Sequence, residues 1–432
     1  MLVSLVFYSW GEVRYFPVMV ALIIINYFCA LSIGGIKKRP GFRKIFLIVA
    51  VTASIGMLFI FKYYDFFIVN INSAFRQNIK PIALTLPLGI SFYTFQTLSY
   101  TIDVYRGKAE VQKNIINLAA FVVMFPQLIA GPIVRYIDVS AELKSRSIKM
   151  EALEDGMEDF IIGLARKVLI ANNVGMLWTE IEKIGFGGIS TGLAWLAILA
   201  FGLQIYFDFS GYSQMAIGMG KMLGFNFPQN FNNPYISRSV TEFWRRWHMT
   251  LGSWFREYLY FPLGGSRRGN RRTILNILIV WALTGLWHGA SWNFLFWGLY
   301  FFALLIIEKT GFIRILNKYR LFSHIYMIIV ILFGWALFAI TDFPSLIEFI
   351  KRMFIPTLTF SGSYTTPAIY YLRNYVVILT LGCFFSTPLP QRIYEKIRTK
   401  KVIKTLLLTG VLIISVAYLV DSTFNPFLYF RF

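Results

Sequence analysis

About ten apolar runs punctuate this 432-residue chain, and they constrain its fold more than any single motif does. They are Val13–Ile33, Ile45–Phe61, Ile82–Ile102, Ile115–Val134, Thr191–Phe207, Ile274–Trp287, Trp292–Ile307, Ile325–Ile340, Tyr375–Phe385 and Leu406–Leu419. A crossing helix uses about 20 apolar residues, because in lipid every backbone polar group must find its partner within the segment. The composition agrees: 57% of residues are hydrophobic and 15% charged, against roughly 45–50% and about 25% in soluble domains. A soluble enzyme and a disordered or collagen-like chain are thereby excluded. The expected fold class is an all-α polytopic membrane protein, with residues 1–432 forming one membrane-embedded domain.

The net charge of +21 comes from 42 Lys+Arg against 21 Asp+Glu. Nucleic acid is not the expected partner, because the cations gather in short loops between apolar runs. Lys37-Lys38-Arg39 with Arg43-Lys44, Arg267-Arg268 with Arg271-Arg272, and Arg392 through Lys404 are such groups. Short basic loops stay on the cytoplasmic side and attract anionic lipid headgroups. Cys29 and Cys383 both sit inside apolar runs and are expected to pack as small hydrophobes. Met1–Trp10 is apolar but lacks the basic start and small-residue cleavage site of a signal peptide.

Several runs are short or broken. Pro87, Gly89, Pro126, Gly131 and Pro132 interrupt backbone pairing at depths where that is tolerated only inside protein or beside a wet cavity. There is no internal repeat of the kind that builds many transporters. Glu151–Trp178 opens with acids and carries Arg166-Lys167 later, which reads as an interfacial or tucked-in helix. Asp208–Gly224 is rich in Gly and small residues that allow close helix approach. Ser237–Gly265 reads "SRSVTEFWRRWHMTLGSWFREYLYFPLGG". Ser239 or Thr241 caps a helix there and Glu242 suits its first turn. Its Trp, Tyr and Arg content suits either an interfacial anchor or the wall of a reaction chamber.

Of the three histidines, His324 reads as a boundary residue at the start of a span. His288 differs, because it lies in an uncharged stretch from Thr273 to Ile307. From Arg272 it is 288 − 272 = 16 residues along the chain, roughly 24 Å of helix, which puts it well inside the bilayer. Ionisable groups at such depth are functional candidates, and imidazole moves protons near neutrality. The competing reading is a structural histidine bonded to a backbone carbonyl. His248 either contacts a reactant, orients something in the chamber, or bonds locally. No metal centre is expected: a third zinc ligand such as Asp208 or Asp103 is not required by any spacing. No P-loop, Rossmann or GxSxG motif occurs in a credible setting.

The segments "SVTEFWRRWHMTLGSWFREYLYFPLGG" and "LTGLWHGASWNFLFWGLY", preceded by "YFDFSGYSQMAIGMGKMLGFNFPQNFNNPYIS", carry a combined signature. With "PLGISFYTFQTLSYTIDVYRG", "FPQLIAGPIVRY" and the terminal "NPFLYFRF", the chain resembles the membrane-bound O-acyltransferase family over nearly its whole length. Within that family it looks most like the bacterial branch of alginate O-acetylase membrane subunits. The resemblance implies a ring of about ten or eleven transmembrane helices, with short tilted and re-entrant helices around a central tunnel. It implies that residues 237–308 form the core carrying both motif histidines, with His288 catalytic and His248 beside it. It also implies that this chain begins after a further N-terminal hydrophobic segment.

The implied reaction moves an acyl group, acetyl above all, from a cytoplasmic thioester to hydroxyls of an exported or cell-wall polysaccharide. The donor is acetyl-CoA or an acyl-carrier protein, used as substrate, with no bound cofactor. His288 acts as general base, or carries the acyl group as an acyl-imidazole. Oxyanion donors are sought at the backbone near Gly289 and at the side chains of Trp287 and Asn293, whose other reading is packing. Arg245, Arg246 and Arg256 suit donor phosphates or, alternatively, lipid headgroups. Asp208, with Tyr212 nearby, is read either as orienting a histidine or as a helix-end cap, and Asn232-Asn233 as a turn before Pro234. The expected setting is the bacterial inner membrane, with a periplasmic acetyltransferase partner. Alginate, peptidoglycan and cellulose all suit as acceptor, and D-alanyl transfer to teichoic acid is the more distant branch. A polytopic transporter or flippase, and a non-catalytic scaffold of an exopolysaccharide export complex, are the alternatives.

Overall fold

The computed structural model describes residues 1–36, 38–129, 131–355, 368–421 and 428. Lys37 of the first basic group, and the C-terminal "NPFLYFRF" apart from Leu428, lie outside the described residues. The chain is helical, with no β-strand among the described residues. The principal helices are α1 (Phe16–Gly35), α2 (Pro40–Phe75), α3 (Ile90–Arg106), α4 (Met150–Ile184), α5 (Thr191–Met222), α6 (Val240–Arg246), α7 (Met249–Phe255), α8 (Asn270–His288), α9 (Trp292–Ile307), α10 (Arg320–Ala339), α11 (Ala368–Phe385) and α12 (Lys401–Asp421).

Seven of these, α1, α2, α4, α5, α10, α11 and α12, are long and apolar enough to cross a membrane. The polytopic expectation stands, and its list of runs is corrected at four places. The run Ile82–Ile102 becomes helical only at Ile90: Pro87 removes a backbone donor and Gly89 takes φ +72°. The run Ile115–Val134 breaks into Ile115–Val122 and Phe125–Leu128, Pro126 restarting the second piece. Glu151–Trp178 is part of a longer element than expected, the 35-residue α4, which is long and apolar enough to cross a membrane and whose Arg166–Ala171 turn is a π-helix. Asp208–Met222 continues the 32-residue α5 rather than standing apart from it, and its small residues do allow the close approach expected, since a Cβ at Gly211 would lie 2.7 Å from the Gly163 carbonyl oxygen. Cys383 is also corrected: it is exposed, whereas Cys29 is buried.

The chain divides into two compact units. The first comprises Met1–Met157, Ala216–Gln229 and Ser253–Pro262. There α1, α2 and α3 pack around Asn26, whose amide donates to the Leu22 carbonyl (3.0 Å) and Ser54 Oγ (3.1 Å) and accepts from Thr101 Oγ1 (2.8 Å). One polar side chain thus ties three helices in a setting where apolar surface alone gives little specificity. Helix α3 is buried over nearly all its length, which explains why it tolerates so many Ser, Thr and Gln. Its Asp103 accepts from Tyr258 Oη at 2.7 Å, and Trp254 stacks on Phe95 at 3.6 Å.

The second unit comprises Glu158–Met215, Asn230–Gly252 and Leu263–Phe432. Its core is an aromatic mass that includes Phe201, Phe207, Phe243, Trp297, Phe301 and Trp335. Helices α8 and α9 form a tight hairpin because glycines let their backbones touch. A Cβ at Gly285 would lie 2.3 Å from the Phe294 carbonyl oxygen, and one at Gly298 would lie 2.3 Å from that of Trp281. The hairpin places His288 at the end of α8, with α9 folded back against it.

Candidate active site

The aromatic–basic stretch does not form one helix. Ser239 caps α6, its Oγ accepting from Glu242 N at 3.0 Å as expected. The helix then stops, because His248 takes φ +43°, a left-handed conformation that few non-glycine residues adopt. Helix α7 starts at the next residue. The start of α6 is held from outside: the buried Glu308 carboxylate accepts from Val240 N (2.6 Å), Thr241 N (2.9 Å) and Thr241 Oγ1 (2.6 Å). An acid suits the donors and positive dipole of a helix start.

Asn230 fixes the His248 ring. Asn230 Oδ1 accepts from Thr250 Oγ1 (2.8 Å) and Thr250 N (3.3 Å), and its Nδ2 donates to Ser213 Oγ (3.0 Å). With Oδ1 so identified as the acceptor, His248 Nδ1 is the donor across 3.0 Å. The tautomer is therefore set, and Nε2 keeps its lone pair. Nε2 is buried and meets no hydrogen-bond partner among the described residues. Burial pushes the His248 pKa down to about 3, so the ring stays neutral.

His288 sits in contrasting surroundings. Its ring meets Trp287, Trp297 and Phe338 edge to face, at 5.1, 5.1 and 5.2 Å between centroids. It borders a void of about 30 Å³, room for one water-sized group. Asp208, Trp247, Trp335 and Leu428 also border that void. The Trp287 ring lies 6.1 Å from His248 and 5.1 Å from His288, so both imidazoles neighbour one indole. Gly289 is needed where it stands, since a Cβ there would lie 2.3 Å from the Phe294 ring.

The other expected site residues fall into three groups. Asp208 borders the void, but in mid-helix rather than as a helix-end cap. One of its carboxylate oxygens pairs with Lys167 Nζ in the π-turn of α4, and the other accepts from Leu428 N at 2.7 Å. Tyr212 follows one turn later and is half-buried. Asn293 is fully buried behind the site, its amide donating to the carbonyls of Leu337 (3.3 Å) and Phe338 (3.5 Å). It therefore locks α9 to the end of α10, which is the packing reading. The arginines are dispersed. Arg246 is held by Glu242 (2.9 Å) and the Asn232 carbonyl (3.1 Å), and Arg245 is exposed. Arg256 is exposed, donates to Ser253 Oγ at 3.2 Å, and belongs to the first unit. Asn233 makes the expected turn, with φ +43° before Pro234.

Sequence reasoning missed Asn230, Lys167 and Glu308. Asn230 stands in "QNFNN" beside two asparagines that absorbed the turn reading. The available signal for Glu308 was an acid directly after the apolar run Trp292–Ile307. No group of three or more His, Cys, Asp or Glu suited to a metal ion occurs among the described residues.

The second unit thus holds two buried imidazoles, one of fixed tautomer and one bordering a small void. Residues 107–347 match the model of the membrane-bound O-acyltransferase family (MBOAT), a range that holds both histidines and every residue named at the void except Leu428. The chain belongs to that family and is an O-acyltransferase by class. Among curated proteins, it is 39% identical over 340 residues to a probable alginate O-acetylase of Azotobacter vinelandii, covering 78% of this chain and 68% of that protein. The corresponding protein of Pseudomonas aeruginosa is 39% identical over 346 residues, 78% of this chain and 66% of its own. A peptidoglycan O-acetyltransferase of Helicobacter pylori is 35% identical over 339 residues, 72% and 63% of the two chains. The chain spans about two thirds of the length of these relatives.

Proposed function

We propose that this chain transfers an acyl group, acetyl above all, from a cytoplasmic thioester to hydroxyls of an exported or cell-wall polysaccharide, with His288 as general base. The carrying observation is the placement of His288 at the void, beside an indole that a second buried histidine also neighbours. The names of the relatives favour a glycan acceptor, alginate or peptidoglycan. A setting in the inner membrane, a coenzyme A or carrier-protein donor, and a periplasmic partner that completes transfer belong to the same reading.

In the single-step scheme an acceptor hydroxyl gives its proton to the imidazole of His288 as its oxygen bonds to the thioester carbonyl carbon. The carbonyl electron pair moves onto oxygen. Collapse of that intermediate breaks the C–S bond, and the leaving thiolate takes the proton back from the imidazolium. In the two-step scheme His288 itself attacks and holds the acyl group until the hydroxyl arrives. His248, neutral and accepting at Nε2, suits a hydrogen bond from a hydroxyl rather than proton release.

Mass spectrometry of cell-surface glycans tests this. Deletion of the gene removes O-acyl groups, wild type restores them, and His288→Ala does not. Unchanged O-acyl content on deletion overturns the reading in favour of a transporter. Full restoration by His288→Ala, at wild-type protein level, overturns it in favour of a scaffold.

A further inference from the structure

We propose that Trp297 is a catalytic residue of this site, donating its indole N–H to the oxygen of the acyl carbonyl as that oxygen becomes negative; this rests on the acyl-transfer reading above. Acyl transfer through a tetrahedral intermediate needs a donor beside the developing oxyanion. The void that His288 borders is also bordered by Trp297, Trp335 and Asp208. Trp335 donates its N–H to Tyr235 Oη at 3.0 Å, and Asp208 carries no N–H or hydroxyl to offer while it holds Lys167 and the Leu428 amide. Asn293, one of the donors sought from the sequence with Trp287 and the backbone near Gly289, gives its amide to two backbone carbonyls.

Trp297 remains. It is 1% exposed, and its Nε1 meets no acceptor among the described residues. An indole nitrogen only donates, so no rotation converts it into a satisfied acceptor. A buried donor left in this state bears its full desolvation penalty, which the fold tolerates where an acceptor arrives later. The residue is also rigidly placed. Asn293 stands one turn before it on α9 and pins that helix to α10, and Gly298 brings it against α8. The atoms balance without any co-reactant. The carbonyl electron pair moves onto oxygen and is met by Nε1–H, the C–O bond forms, and the proton goes to His288. The C–S bond then breaks, the N–H never leaving nitrogen.

Trp244 supplies an internal control. Its Nε1 is also buried and unpartnered among the described residues, and its ring packs edge-on against Trp297 at 5.4 Å, but it does not border the void. If buried indole N–H groups here merely face aromatic rings, the two tryptophans behave alike.

The test replaces Trp297 in the full chain with 3-benzothienylalanine, which keeps the bicyclic shape and exchanges N–H for sulfur, alongside Trp297→Phe, Trp244→Phe and His288→Ala. The initial rate of glycan O-acylation in cells is measured at matched membrane abundance, with the melting temperature of each purified protein. The expected result is a loss of about 100-fold for benzothienylalanine at position 297 with wild-type melting, and less than about threefold for Trp244→Phe. A wild-type rate with benzothienylalanine overturns the proposal. A lowered melting temperature or abundance for that variant overturns it as well, since the N–H then serves the fold. A wild-type rate for His288→Ala sinks the acyl-transfer reading itself, and this inference with it.

Discussion

His248 and His288 flank one indole, and their surroundings differ in kind. His248 is held by hydrogen bonds: Asn230 takes its Nδ1 proton, and Thr250 and Ser213 hold Asn230 in turn. His288 is held by rings, three of them edge-on, beside a small void and close to a buried ion pair. A polar network fixes protonation and tautomer but leaves little room for a ring to change state. Edge-to-face ring packing fixes where a side chain sits without itself assigning a proton to either nitrogen. His248 is thus held neutral, while the proposed proton transfer falls to His288.

The difference breaks first at His288. His288→Gln keeps a polar side chain of similar reach but cannot take a proton and return it, so the rate of glycan O-acylation is expected to fall by about 10³-fold or more. His248→Gln keeps an acceptor and is expected to retain more activity than His288→Gln. Equal losses in the two variants, compared at matched abundance, would erase the proposed division of labour.

The next largest effect lies at the ion pair. Lys167 and Asp208 are about 8% and 4% exposed and hold the Leu428 amide beside the void. Breaking such a pair from one side leaves a buried charge facing a neutral group, which costs about 3–5 kcal/mol, whereas replacing both sides by apolar groups is often tolerated. Asp208→Asn is therefore expected to lower the melting temperature sharply, and Lys167→Met with Asp208→Leu to recover most of it. If the double variant is stable but inactive, the pair serves the His288 side of the site and not only the fold.

A smaller effect sharpens the His248 side. In Asn230→Asp the carboxylate still accepts from Nδ1, and its charge favours the imidazolium, so the His248 pKa rises from about 3. Activity that needs the neutral ring then falls as pH drops, deepening the acid limb that a general base already imposes on the wild type by about a further tenfold at pH 5. In wild type the unfolded ring binds a proton below its ordinary value near 6.5, while the native ring does not until about 3. Stability contributed by His248 is therefore present above 6.5 and lost as pH falls toward 3. Thermal inactivation of wild type should accelerate from pH 7 to pH 5 more than that of His248→Gln.

The sequence made the helical class legible, because apolar run length depends on local composition alone. It also singled out His288, since an ionisable group within an uncharged run stands out by itself. Six of the seven helices that are long and apolar enough to span carry one of the expected apolar runs; α4 does not, and α3, which carries one, is not among the seven. Helix α3 is buried by protein and so has no need of an apolar sequence, while α4 opens with acids and yet runs 35 residues. The break at His248 was illegible for a related reason: nothing in "WRRWHMTLG" marks a left-handed histidine, which exists only because Asn230 and Thr250 hold it. Asn230 in turn becomes distinct from Asn232 and Asn233 only once the chain has folded.

The smallest expected effect concerns the cations. Arg246 is engaged with Glu242 and a carbonyl, so it serves the α6 terminus before it serves any anion. Arg245 is exposed, so its charge is screened within about 8 Å at physiological salt. If it meets donor phosphates, Arg245→Ala raises the KM for acetyl-CoA by about threefold with kcat unchanged, and the penalty shrinks as salt rises. If it meets lipid headgroups, KM stays put and the variant instead binds less anionic lipid. Either outcome leaves His248 as it is, because that imidazole is held by Asn230 and burial and not by Arg245.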